Sequence, residues 1–197
     1  MKKTSILDLR PTQFSLGMNE VHYKTEKIQK FSKAELKDYC KNHTIPVVVG
    51  PQKEKYLIDH HHFARACWEQ EVEEFEIEIL EDKGHLSQKE FWTFLESKKW
   101  MYLFDQFGQG PHSPDLLPSD VRCMGDDPYR SLAWELIEAG VIEKSKVPFF
   151  EFQWATLLRK NLDIPLTSKS NFKEAVEKSK KIALSATASH LPGFKKT

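Results

Sequence analysis

The chain has no long hydrophobic run: nothing in its 197 residues is apolar over enough length to span a bilayer, so no membrane partner is expected. Met1-Lys2-Lys3-Thr4 opens as a signal peptide does, but no apolar stretch follows, and none is expected. Cysteine is scarce. Cys40, Cys67 and Cys123 are odd in number and lack paired metal spacing, so they read as reduced, mostly buried thiols of a cytoplasmic protein. An excess of one charge is missing too. The 29 basic and 29 acidic residues cancel, leaving no overall field to draw the molecule onto DNA, which weakens a non-specific duplex-binding role. Glycine is sparse, and Gly108-Gln109-Gly110 lacks the Gly-Lys-Ser/Thr end of a phosphate-binding P-loop. Internal repeats, low-complexity linkers and coiled-coil heptads are absent.

What the chain does have is a dense stretch from Pro46 to Trp68. Pro46-Val47-Val48-Val49 reads as a β-branched strand, Gly50-Pro51 as a turn, and Tyr56-Leu57-Ile58 as a second strand. The chain then passes abruptly into a helix at Asp59-His60-His61-His62. Such a corner aims backbone N–H groups and the positive end of the helix dipole at one point, which suits an anion. Asp59 is the expected N-cap. Consecutive histidines fan out about 100° apart on a helix, so the three are not expected to converge on one metal ion. One or two of them can contact phosphate or transfer a proton. Arg65, one turn on from His61, carries a planar fork that suits phosphate oxygens, and a surface arginine on an amphipathic helix is the equal alternative.

Val47 to Trp68, centred on Asp59-His60-His61-His62, resembles the signature of the ParB-like nuclease family, a branch of the ParB/sulfiredoxin superfamily. Relatives carry Gly-Glu-Arg-Arg, Gly-Cys-His-Arg or Asp-Gly-His-His-Arg at the equivalent corner and place nucleotide phosphates there. The resemblance continues at Leu9-Arg10-Pro11-Thr12-Gln13, with Gly17 and Val21-His22. It extends more loosely through Pro128 to Arg159 and Leu191-Pro192-Gly193-Phe194. It implies phosphate or nucleotide contacts at Asp59, His60, His61, His62 and Arg65, and a substrate contact at Gln13. This chain departs from the partition proteins by carrying histidines where they carry an arginine pair.

Elsewhere the pattern is ordinary. Thr12 to Val21 reads as a loop, in which Glu20 and His22 flank Val21 and would share a face if extended. They form a candidate acid–base pair. Small-molecule kinases of the superfamily resemble this chain in carrying an early acidic residue near the nucleotide, which implies a base role for Glu20. Lys24 to Lys30 reads as a short helix. Ser32-Lys33-Ala34-Glu35 and Ser87-Gln88-Lys89-Glu90 are capping boxes, each opening a helix. Val72, Phe75, Ile77 and Ile79 alternate as one buried face of an acidic strand, with Glu74, Glu76 and Glu78 opposite. The broken segment Gly108 to Pro114 suits a lid or substrate wall, with His112 as a contact. Asp127-Pro128 predicts an N-cap and first helical position, and Gly140 a stop. Arg130 is a candidate for an acidic substrate, a salt bridge being the commoner fate. Phe149 to Leu162 and Asn171 to Ala188 read as further helices, the latter with a basic face of Lys173, Lys178, Lys180 and Lys181.

The expected architecture is α+β: a small mixed sheet of ParB/sulfiredoxin type over residues 1–84, with a mainly helical extension, 85–197, packed on it. The expected function is binding of a nucleotide, ATP or ADP, or of another phosphoester at the corner. Phosphotransfer or phosphoester hydrolysis would follow, with His61 and Glu20 in the chemistry and Glu20 holding Mg²⁺ through water. Two alternatives stand beside it: a ParB-like nuclease acting on DNA, and a non-enzymatic, nucleotide-gated binding module.

Overall fold

The computed structural model describes residues 2–72 and 74–195; Met1 of the signal-like start and Glu73 of the acidic stretch lie outside the described residues. The architecture is α+β, a mixed sheet in the N-terminal region followed by a mainly helical C-terminal half. Contacts divide the chain into two units, Met1–Leu16 with Glu20–Asp126, and Gly17–Asn19 with Asp127–Thr197. This is a different division from one at residue 84.

The first unit begins with β1 (Lys2–Ser5), β2 (Leu9–Pro11) and β3 (Ser15–Leu16), then α1 (Met18–Ile28) from Glu20 onward, and α2 (Lys33–Asn42). Next come β4 (Ile45–Val49), β5 (Lys55–Leu57), α3 (His61–Glu69), β6 (Glu74–Asp82), α4 (Gln88–Ser97) and β7 (Gly125–Asp126). Its main sheet has five strands in the order β1-β6-β4-β5-β2. β6 pairs antiparallel with β1 and parallel with β4; β5 pairs antiparallel with β4 and parallel with β2. β3 and β7 form a separate parallel pair. The centre falls on β4 because Val47 and Val48 are fully buried, which suits β-branched side chains covered on both faces of a sheet. β6 keeps the expected alternation, with Phe75 and Ile77 buried and Glu74 and Glu78 exposed.

Residues past 84 join this unit through packing. Phe91 and Leu95 of α4 are fully buried with Val48 and Tyr56, each such side chain contributing roughly 1.5–3 kcal/mol by leaving water. Gly50 is required where the rings close in. A Cβ there would stand 2.7 Å from Tyr56 and 2.8 Å from Phe91. The capping boxes at Ser32 and Ser87 both form. Replacing Ser87 with alanine is therefore expected to cost about 1 kcal/mol, read as a lower urea midpoint with an unchanged slope.

In the second unit α5 (Pro128–Glu138), α6 (Phe150–Asn161) and α7 (Lys169–Ala183) pack around Leu132, Leu136, Trp154 and Leu158. Asp127 caps α5 through the N–H groups of Tyr129 and Arg130, and Gly140 follows the helix at φ +68°. The end of the chain folds back on this core. Trp154 Nε1–H donates to the Pro192 carbonyl at 2.8 Å, and the Glu143 N–H donates to the Gly193 carbonyl at 2.8 Å. The residues Gly17–Asn19 belong here as well: the Asn19 N–H donates to Ser131 Oγ.

The expected loop before Val21 is corrected by α1, which begins at Met18. Val21 and Ile28, seven residues apart, share its buried stripe. The expected basic face on α7 is partly neutralised by its own helix, through Lys178–Glu174 and Lys180–Glu177 pairs. Cys40 and Cys67 are buried thiols, while Cys123 is exposed. Among the described residues no helix is long and apolar enough to cross a membrane.

Candidate functional site

The corner forms where β5 ends. Two residues link Leu57 to His60, which takes a left-handed backbone (φ 67°, ψ 25°) and serves as the N-cap of α3. The expected N-cap, Asp59, stands one residue too early. Its Oδ1 accepts from the adjacent His60 N–H at 2.6 Å instead of from the first helical turn. The Ala64 N–H bonds the His60 carbonyl at 2.8 Å, and the His60 side chain makes no capping bond to the helix. The first-turn N–H groups, at the positive end of the helix, make an anion-receptive point.

The three histidines diverge as the helical geometry requires. His60 is exposed. His61 points inward and is 4% exposed; its Nε2 accepts from the Thr12 N–H at 3.3 Å, and the Leu57 carbonyl also hydrogen-bonds the ring. Thr12 Oγ1 donates to that same carbonyl at 2.8 Å. His61 thus ties the end of β2 to α3, with the Leu57 carbonyl of β5 beside its ring. Burial, with smaller contributions from the neighbouring imidazoles of His62 and His60, pulls its pKa down to about 3 against an opposing pull from Asp59. A ring held neutral in this way contributes order to the corner.

His62 faces α1. Its Nε2 lies 3.6 Å from Glu20 Oε2, and Glu20 Oε1 lies 3.4 Å from Lys24 Nζ. The His62 and Glu20 side chains are 10% and 13% exposed, which leaves an edge within reach of a ligand and excludes most water. This pairing replaces the expected partnership of Glu20 with His22. On a helix, residues two apart point about 200° from each other, and His22 is exposed. The Glu20–His62 contact is therefore made across two helices.

Arg65 commits its guanidinium locally. Nε meets Glu69 Oε1 at 2.9 Å, Nη1 donates to the Val121 carbonyl at 3.1 Å, and the group lies over the Trp68 ring. Gln13 is buried beside the corner, donating through Nε2 to the Ser15 carbonyl at 2.9 Å and forming a parallel bridge with Tyr102. His112 Nε2 lies 3.0 Å from Asp105 Oδ2, with its ring edge-on to Phe14. Burial opposes ionisation of Asp105, but the Gln109 N–H, the His112 ring and the Phe107 N–H outweigh it and hold the carboxyl below its ordinary range. The broken segment is thus held by its own contacts. Arg130 lies in the second unit, 3% exposed, ion-paired with Glu151 and stacked over Phe152.

Two features were hidden in the sequence. The Glu20–His62 contact joins residues 42 apart. The other is a series of ring contacts, His60–Phe63, Phe63–His43 and His43–Tyr39, for which the only local signal was the four-residue spacing of Tyr39 and His43 on α2. Among the described residues no group of three or more His, Cys, Asp or Glu side chains is gathered to hold a metal ion.

The family described as "Putative ParB-like nuclease" matches residues 2–160. The chain is also similar to protein Atu1540 from Agrobacterium tumefaciens, known from a crystal structure. The two are 36% identical with a TM-score of 0.89, over 98% of this chain and 97% of that one. No curated protein matches the chain closely enough to lend it a function.

Proposed function

The chain belongs to the ParB-like nuclease family, and from that premise we propose that it is a cytoplasmic enzyme hydrolysing phosphodiester bonds of nucleic acid at the corner before α3. The observation that carries this reading is the placement of the Glu20–His62 pair at the N-terminal end of α3, where the N-cap residue, His60, spends no side-chain hydrogen bond on the helix. The first-turn N–H groups hold the non-bridging oxygens of the scissile phosphate and take up charge as the transition state forms. His62 accepts a proton from the attacking water, and Glu20 stabilises the imidazolium that results. The new bond joins the water oxygen to phosphorus. The bond to the leaving oxygen breaks, and exposed His60 supplies the proton that this oxygen needs. His61, Thr12 and Gln13 hold the backbone around the phosphate, and Asp105–His112 forms a wall on the same unit.

Magnesium does not fit readily as a ligand of Glu20, whose carboxylate is already shared between Lys24 and His62. The second reading is nucleotide phosphotransfer. The same N–H groups suit the phosphates of ATP or ADP, and the ring of His60 beside Phe63 offers a base a surface to rest on.

The test is incubation of the purified protein with single-stranded DNA, duplex DNA, RNA, ATP and ADP, each with Mg²⁺ and with EDTA. Shortened polynucleotides are expected. Turnover of ATP alone would transfer the reading to phosphotransfer, and binding of every ligand without turnover would make the protein a binding module.

A further inference from the structure

Beside the corner the first unit carries a row of rings at the surface. Tyr39 and His43, one turn apart at the end of α2, stack at 4.1 Å between centroids with planes 32° apart. Phe31 continues the row at 4.9 Å from Tyr39. Phe63 joins its other end, 5.7 Å from His43 and 6.5 Å from His60, the N-cap of α3. A row of this kind often does no more than close a core, and Phe63 does so, being 6% exposed and edge-on to Phe75. The rest differs. His43 and His60 are exposed, Tyr39 and Phe31 are half-buried, and exposed Lys27 lies 5.1 Å from the centre of the Tyr39 ring.

The segment that carries most of the row is net positive. Between residues 24 and 43 stand six lysines against Glu26, Glu35 and Asp38, although the whole chain is neutral; Lys27 lies at the row, while Lys33, Lys37 and Lys41 line a groove with Glu71, Glu74 and Glu76. One lysine, Lys24, is bound to Glu20, and Glu35 is held in the capping box with Ser32. Aromatic faces beside a lysine ammonium group match the two repeating elements of one polymer, stacked bases and phosphates. A duplex hides its base faces inside the helix, so this row has nothing to stack against there.

Resting on the nucleic-acid reading of the corner, we infer that the row His60, His43, Tyr39 and Phe31, with Lys27, is a binding track for single-stranded nucleic acid leading to the phosphate point of α3. Bases stack on His43 and His60, and Lys27 contacts the backbone. The track selects single strands while the corner cuts them.

Fluorescence anisotropy in EDTA, where binding is read without cleavage, tests the track with a labelled oligothymidylate, an abasic oligomer of equal length, a duplex and thymidine monophosphate. The oligothymidylate is expected to bind most tightly. His43→Ala weakens it about tenfold, within the range for loss of one stacked base, and His43→Phe, which keeps the ring, restores it. Lys27→Ala lowers the slope of log affinity against log salt by about 0.7, as for one lost phosphate contact on a single strand. Equal binding of the abasic oligomer, tighter binding of the duplex or the mononucleotide, or failure of His43→Phe to restore affinity each overturns the track. Cleavage without base-dependent binding would sink the track and leave the corner standing; base-dependent binding without cleavage would do the reverse.

Discussion

Replacing His62 with glutamine is expected to slow phosphodiester cleavage by about 10²- to 10⁴-fold, the usual contribution of a positioned acid–base group. Glutamine keeps much of the length and polarity of the ring and cannot accept a proton from the attacking water. The loss should fall on kcat, because His62 is only 10% exposed and the N–H groups that bind phosphate come from the backbone. Glu20→Gln should give a smaller loss, since His62 would still accept the proton, and should move the acid limb of the pH–rate profile. His22→Ala is the control on the same helix and should leave the rate unchanged. A His62→Gln enzyme with wild-type kcat would remove the Glu20–His62 pair from the chemistry.

The second large effect concerns stability in acid. His61 is neutral in the folded protein because burial pulls its pKa to about 3, whereas an unfolded histidine titrates near 6.5. Between these values the unfolded chain binds a proton that the folded chain refuses. The contribution of His61 is therefore complete above about pH 6.5 and falls by about 1.4 kcal/mol per pH unit as pH drops toward 3. From pH 7 to pH 5 that amounts to about 2 kcal/mol. His61→Gln loses the backbone contacts to Thr12 and Leu57 and starts less stable at neutral pH, but it cannot take up the proton. The gap in unfolding free energy between wild type and His61→Gln should therefore narrow by about 2 kcal/mol between pH 7 and pH 5 in denaturant titrations. A gap independent of pH would mean that His61 is not held neutral by burial.

How much of this was legible depended on how local each interaction is. The strand Ile45–Val49, the capping boxes at Ser32 and Ser87, and the Asp127-Pro128 helix start are all written within a few residues. The resemblance carried by Asp59 to His62 located the corner and the fold class. It did not reveal what each histidine meets, because those partners are remote: Thr12 and Leu57 for His61, Glu20 for His62. Glu20 and His22 were drawn together by reading an extended segment where α1 forms, an error of period that reverses which side chains share a face. Arg65 and Arg130 could not be told from ligand-binding arginines until Glu69, Val121 and Glu151 stood beside them. The ring row was missed because its two ends come from remote segments, Phe31 to His43 and His60 to Phe63.

The short strip Gly17–Asn19 has a consequence in time. Asn19 and its partner Ser131 are 112 residues apart, and Gly17 lies so close to the backbone of Ser131 that a Cβ would meet its nitrogen at 2.8 Å. At about 5–20 residues per second, a ribosome delivers Ser131 on the order of ten seconds after Gly17. For that interval the strip is a nascent segment with its destination unmade. Release of residues 127–197 alone would produce a helical fragment that has forever lost one of its own pieces.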